Sequence, residues 1–180
     1  SEVLVPMFRR FDPEGSTADV DFLTRKAVID ATKSQVSHVV LDGIKGNTWE
    51  EKVAGILERH PDVVAYAKND HLGFTIPYVH EGRSHQYWPD FLVRLQPDAD
   101  GEERTLILEV SGTRKSAGPT AAKADTARDQ WCVAVNNHGG WGRWAYLEVG
   151  DMTTAEGRID DAIAHLTAAP AGTTLAGAST

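Results

Sequence analysis

The chain has 180 residues, 41% hydrophobic and 24% charged, the length and balance of one globular domain with a core of its own. A net charge of −8 at pH 7 and a pI near 5.3 exclude a uniformly basic nucleic-acid binder, and no apolar run approaches the roughly 20 residues of a membrane span. One cysteine, Cys132, excludes an internal disulfide, and with no visible signal or transit segment the cytoplasm is the expected compartment.

Residues 1–18 carry Pro6, Pro13, Gly15 and charges without clear periodicity, as a linker or N-terminal arm does. Ser1 in place of Met points to a processed product or a piece of a longer chain. Residues 20–29 have the pattern of a strand, and residues 37–42 form a second apolar run ended by Gly43 and Gly46. A helix follows: Thr48 is the N-cap, with Glu51 completing a capping box, and Trp49, Val53, Ile56 and Leu57 share a stripe that stops at His60-Pro61. The period then shortens to two. Strands are expected over residues 63–68 and 74–80, with the turn Glu81-Gly82-Arg83 leading into a third over 88–95. A polar, turn-rich link over 96–103 joins this strand to another over 105–111. Residues 112–119 read as a flexible loop, 120–135 as an Ala-rich helix, 136–140 as a loop, 141–149 as an aromatic strand and 155–166 as a last helix. The domain is therefore expected over 19–167, with a disordered Ala/Gly/Thr/Ser tail over 168–180. Helix, a run of antiparallel strands, helix, strand describes an α/β fold, a mixed sheet flanked by helices.

Two acids stand out because each lies within an apolar strand: Asp90 in Trp88-Pro89-Asp90-Phe91-Leu92-Val93, and Glu109 in Leu106-Ile107-Leu108-Glu109-Val110-Ser111. A buried carboxylate is costly unless something compensates it, and two on adjacent strands suggest a shared cation. Hard oxygen ligands with no His/Cys cluster favour Mg²⁺, for which Mn²⁺ can substitute. Side chains alternate along a strand, so Glu109 and Ser111 point one way, Leu108 and Val110 the other, and Asp90 shares a face with Leu92. Register permitting, Asp90 and Glu109 converge on one ion and the Val110 carbonyl adds a third oxygen. Such an ion polarises a phosphate and acidifies water. The competing reading makes the two acids structural, paired with Arg94 or Arg104.

The pair resembles the PD-(D/E)xK nuclease superfamily. The wider pattern is similar to the C-terminal nuclease part of type III restriction enzyme restriction subunits. Its residues are Trp49-Glu50, Tyr66-Ala67-Lys68-Asn69, Leu72-Gly73-Phe74, Ile76-Pro77-Tyr78, Tyr87-Trp88-Pro89-Asp90-Phe91, Leu106 to Gly112, Ala134-Val135-Asn136 and Gly142-Arg143-Trp144. The resemblance spans roughly residues 48–149. It implies a restriction-endonuclease-like core and a metal-dependent endodeoxyribonuclease acting on double-stranded DNA. It further implies a helicase/ATPase region in the same full-length chain and a DNA methyltransferase subunit as partner, with no membrane role. No Gly-x-x-x-x-Gly-Lys-[Ser/Thr] loop is present for ATP.

By the same resemblance Glu50 matches an acid on the first helix that assists a second cation or a water, the alternative being a solvated helix carboxylate. Ser111 occupies the position where the superfamily has its lysine. Lys123 on the following helix is the first choice to supply the missing charge, being better held than Lys115 in the loop; Lys68 is a third. Trp131, Trp141, Trp144 and Tyr146 suit a core better than base-stacking platforms. The loop around His138 offers backbone N–H groups to phosphate, and His71, His80 and His85 lack zinc spacing. Two other function classes remain open: an inactive nuclease-fold module for DNA docking or subunit assembly, and a hydrolase of small phosphoesters.

Overall fold

The computed structural model describes residues 3–7, 15–21, 24, 26, 28–36, 38–41, 48–99, 101–111 and 117–168. In chain order, β1 (Val28–Asp30) pairs antiparallel with β2 (His38–Val40), and α1 (Trp49–Arg59) follows. Next come β3 (Val63–Lys68), a ribbon of β4 (Ile76–His80) and β5 (Arg83–Tyr87), then β6 (Phe91–Leu95) and β7 (Arg104–Val110). A long helix runs through α2 (Ala117–Asp125), a π-helical segment over Thr126–Trp131 and α3 (Cys132–His138), before β8 (Arg143–Val149) and α4 (Ala155–Ala168).

The central sheet has the order β3-β6-β7-β8. Its first three strands are antiparallel, while β8 lies parallel to β7 after the helical crossover. This is the expected α/β arrangement, a mixed sheet with helices on its faces. Alternation along β7 sends Leu106, Leu108 and Val110 into one core and Ile107 into another. The first core takes Val53, Ala54 and Leu57 of α1, Phe91 and Val93 of β6, and Ile159 and Ile163 of α4. The second packs Ile76, Tyr78 and Tyr87 of the ribbon against Ala127 and Cys132 of the long helix. Glu109 belongs to this second face.

Local signals account for the element ends. Thr48 Oγ1 accepts the Glu51 N–H at 3.1 Å, with Glu50 and Glu51 at the positive end of α1 and Arg59 at the other. The β6–β7 connection is locked by a buried Arg104–Asp98 pair at 3.1 Å.

Several boundaries differ from expectation. Of residues 20–29 only Val28 and Ile29 are strand among those described, and Thr17–Asp19 form a 3-10 turn where the arm was expected to end. The run 74–80 becomes strand at Ile76 and leaves the main sheet, because β3 finds its partner in β6. The turn at Glu81-Gly82 leads into β5, its ribbon partner, rather than the Asp90 strand; Glu81 and Gly82 have φ of 50° and 71°. Asp90 stands in a bend just before β6, since Pro89 has no N–H to continue a ladder. The long helix begins at Ala117 and reaches His138, absorbing Pro119 and much of the loop expected after Val135. The 168–180 tail lies outside the described residues apart from Ala168, which ends α4.

Gly142 shows what β8 requires at its start. Its φ is 70°, and a Cβ there would meet the Glu103 carbonyl oxygen at 2.3 Å, beside the 2.8 Å bond from Arg143 N–H to that same carbonyl. Gly142→Ala should therefore cost at least about 2 kcal/mol, from left-handed strain plus the backbone clash. Urea denaturation checks this, and an unchanged midpoint would contradict it.

Candidate functional site

One row of residues crosses the end of the sheet. Phe91 lies opposite Leu108, so one step further along the antiparallel ladder sets Asp90 against Glu109. Lys68 opposite Phe91 brings Asn69 beside Asp90, and the parallel pairing aligns Glu109 with Glu148. Asn69 fixes the bend before β6: its N–H donates to the Asp90 carbonyl at 2.8 Å and its side-chain amide to the Pro89 carbonyl at 2.9 Å. The Asp90 carboxylate accepts the Val110 N–H at 2.7 Å, bridging the two strands.

The Asp90 and Glu109 carboxyls bear on each other electrostatically. Burial is the main reason the Glu109 carboxyl is pushed up to about 7, and the Asp90 charge adds to it. The Tyr87 hydroxyl and Lys123 ammonium pull the other way, while Glu148 pushes up. Asp90 is also raised, first by burial; the Val110 N–H opposes this, Glu50 reinforces it, and Lys68 and the Glu109 carboxyl oppose it. Four carboxyl groups thus act on one another here against two ammonium groups. Fully ionised, the set carries a surplus of two negative charges, the charge of one divalent cation.

Other expected residues converge on the same place. Glu50, in the first turn of α1, acts on Asp90 through its charge. Lys123 of α2 acts on Glu109, its Nζ 5.5 Å from the centre of the Tyr87 ring. Lys68, only 8% exposed, donates to the Val40 carbonyl at 2.8 Å and bears on Asp90. Val110 enters through its N–H, a contact different from the carbonyl role expected for it. Ser111 lies just past β7; its N–H donates to the Val149 carbonyl at 2.9 Å and its hydroxyl approaches the same oxygen at 3.5 Å. Lys115 lies outside the described residues.

The arginines proposed as structural partners of the acids are engaged elsewhere, Arg94 with Glu103 at 3.4 Å and Arg104 with Asp98. Trp131 and Trp144 pack edge-to-face with centroids 5.2 Å apart beside Phe74, partly buried against the second core, while Trp141 is exposed. The Gly-rich loop is largely a helix terminus: Gly139 caps α3 with φ 72°, and the Gly140 N–H is taken by His138 Nδ1 at 3.3 Å. His80 and His85 meet on the ribbon, their rings 6.5 Å apart.

Among the described residues no three His, Cys, Asp or Glu side chains form a metal cluster. A pair of carboxylates suits Mg²⁺, which keeps much of its hydration, better than zinc or calcium, which want fuller protein cages. A cavity of about 780 Å³ lies elsewhere, lined by Ser16, Arg94, Glu103 and Trp141 among others. The acids are the stronger candidate, because part-buried carboxyls whose pKa values are raised by burial and by neighbouring charge mark a functional site more specifically than a cavity does.

Three participants were given no role from the sequence. Tyr87 donates its hydroxyl to Glu109 Oε2 at 2.8 Å and lies 3.3 Å from the Tyr146 hydroxyl. Asn69 and Glu148 are the others. Nothing in periodicity announces them, since all act through polar tips on residues otherwise suited to a strand or a turn.

Comparison of the chain with protein-family models, curated proteins and solved structures finds no match. Among the described residues no helix is long and apolar enough to cross a membrane.

The dyad has a consequence for stability. Glu109 titrates from 4.5 when unconstrained to about 7 in the fold, so between those values the folded chain holds the extra proton. Its contribution to folding is complete below pH 4.5 and is lost as pH rises through 7. Glu109→Gln, which stays neutral, should match the parent at pH 5 and melt on the order of 5 °C higher at pH 8 without divalent metal. Thermal melts in chelator at both pH values test this, and an equal offset at both would refute it.

Proposed function

We propose that the chain is a Mg²⁺-dependent DNA endonuclease domain hydrolysing phosphodiester bonds. The observation that carries this reading is the apposition of Asp90 and Glu109 across β6 and β7, two part-buried carboxyls with surplus negative charge around them. The resemblance to the PD-(D/E)xK nucleases supports it, and the mixed sheet β3-β6-β7-β8 with α1 before it and the long helix crossing to β8 is compatible with an α/β core of that kind. Asp90, Glu109 and the Val110 carbonyl are the proposed ligands, with Mn²⁺ able to replace Mg²⁺. The bound ion supplies Lewis acidity toward the phosphate and toward water.

The chain's own residues supply the rest. Glu50 adds an acid on the α1 side, able to orient water. Lys123, held over the Tyr87 ring and facing Glu109, supplies the positive charge that Ser111 lacks and stabilises charge gathering on the phosphate oxygens. Lys68 steadies Asp90 from the other side. With a net charge of −8, DNA affinity is assigned to other parts of the system. By the resemblance these are a helicase/ATPase region in the same full-length protein and a methyltransferase subunit.

The Ser111 hydroxyl, turned toward the Val149 carbonyl, favours a second reading in which the fold is kept for DNA docking or subunit assembly without cleavage. The two separate cleanly. Under the first, the chain nicks supercoiled plasmid with Mg²⁺ or Mn²⁺; Asp90→Ala lowers the rate at least about 100-fold and Lys123→Ala by about 10- to 100-fold. Equal nicking by Asp90→Ala rejects the assignment. Under the second, the parent is inert, and Ser111→Lys confers cleavage.

A further inference from the structure

We infer that Tyr87 is a positioning residue for this centre: its hydroxyl orients Glu109 so that the remaining carboxylate oxygen serves the cation shared with Asp90. The inference rests on the metal reading above and assigns the site a supporting residue beyond the ligands and the lysine.

Tyr87 ends β5, is 2% exposed, and is wedged against Ile76, Ile107 and Ala127, so its ring has little freedom. Its hydroxyl meets Glu109 Oε2 at 2.8 Å and the Tyr146 hydroxyl at 3.3 Å. Tyr87 donates to Glu109, so its proton is committed and its own lone pair receives the Tyr146 proton. The relay runs from Tyr146 to Tyr87 to Glu109, each bond polarising the next. One Glu109 oxygen is thereby engaged and the carboxylate plane is set. The face of the same ring lies beneath Lys123 Nζ, at 5.5 Å from its centre, so one side chain braces both a ligand and the proposed catalytic ammonium. A phenylalanine would fill the same apolar space; the hydroxyl adds nothing to packing that the ring does not already provide. Outer groups that orient metal ligands typically govern affinity by 10- to 100-fold.

The test is Mn²⁺ affinity, measured by calorimetry on the parent chain, Tyr87→Phe and Tyr146→Phe, with metal-free melts alongside. Tyr87→Phe should bind Mn²⁺ about tenfold more weakly and Tyr146→Phe, one bond further out, about two- to threefold, while both melt within about 3 °C of the parent without metal. Parent-like affinity in Tyr87→Phe overturns the role of Tyr87 and leaves the metal reading standing. An affinity loss matched by a collapse in melting temperature also overturns it, making Tyr87 a packing residue. Absence of Mn²⁺ binding by the parent removes the metal reading and this inference together.

Discussion

Burying two carboxyl groups at adjacent strand ends is the constraint around which the rest of this molecule is arranged. Such groups are tolerated only when their charge is divided, hydrogen-bonded or neutralised. The chain does some of each. Val110 gives Asp90 a backbone N–H, Tyr87 gives Glu109 a hydroxyl, and Lys68 and Lys123 bring ammonium groups from opposite sides. These partners come from β3, β5, β7 and α2, so the site is assembled only when the sheet and both its coverings are in place. Even then the acids remain less acidic than free carboxyls. That residual strain is what a divalent cation would relieve.

The two coverings have different tasks. The α1–α4 side is a mainly aliphatic core of Val, Leu, Ile and Ala, with Tyr66 and Phe91 among them, that packs the sheet against helices. The ribbon side mixes aromatics and hydroxyls with aliphatics and delivers Tyr87, Tyr146 and Lys123 to the acids. Stability and chemistry are thus separated by the pleat of β7, where neighbouring residues serve opposite faces. Glu109 between Leu108 and Val110 is the clearest case.

What could be read from residues alone was whatever periodicity or a cap encodes. The stripe of α1 with its Thr48 cap, the residues of β3, and the pairing of the Asp90 and Glu109 segments were legible because burial imposes a regular pattern on them. The departure of residues 74–80 from the main sheet was not. A strand's pattern records that one face is covered, and β4 is covered by the long helix as effectively as by a sheet neighbour. The helix over residues 117–138 was underestimated because Pro119 is harmless in a first turn, and Asn136 and Asn137 are weak formers that contacts can hold; Asn136 bonds both backbone groups of Trp144. At the site, acids and candidate lysines were visible as charges in unusual company. Tyr87, Asn69 and Glu148 escaped assignment, because an aromatic or an acid in a strand and an amide in a turn look the same whether or not their polar atoms bear on the Asp90–Glu109 pair.

The widened turn over Thr126–Trp131 bears on where the positive charge stands. An ordinary α-helix advances about 100° per residue, so a stretch wound more loosely offsets the rotational phase of everything before it relative to everything after. Cys132 and Val135 settle against the sheet in one phase, while Lys123 faces Tyr87 in another. Winding those six residues as ordinary α-helix without removing any would swing the lysine by roughly 100° around the axis of its helix, even with both acids and every core contact beyond Trp131 unchanged, whereas removing one of them at the same time would leave its phase almost as it is. The reach of the ammonium is in this sense written into helical pitch.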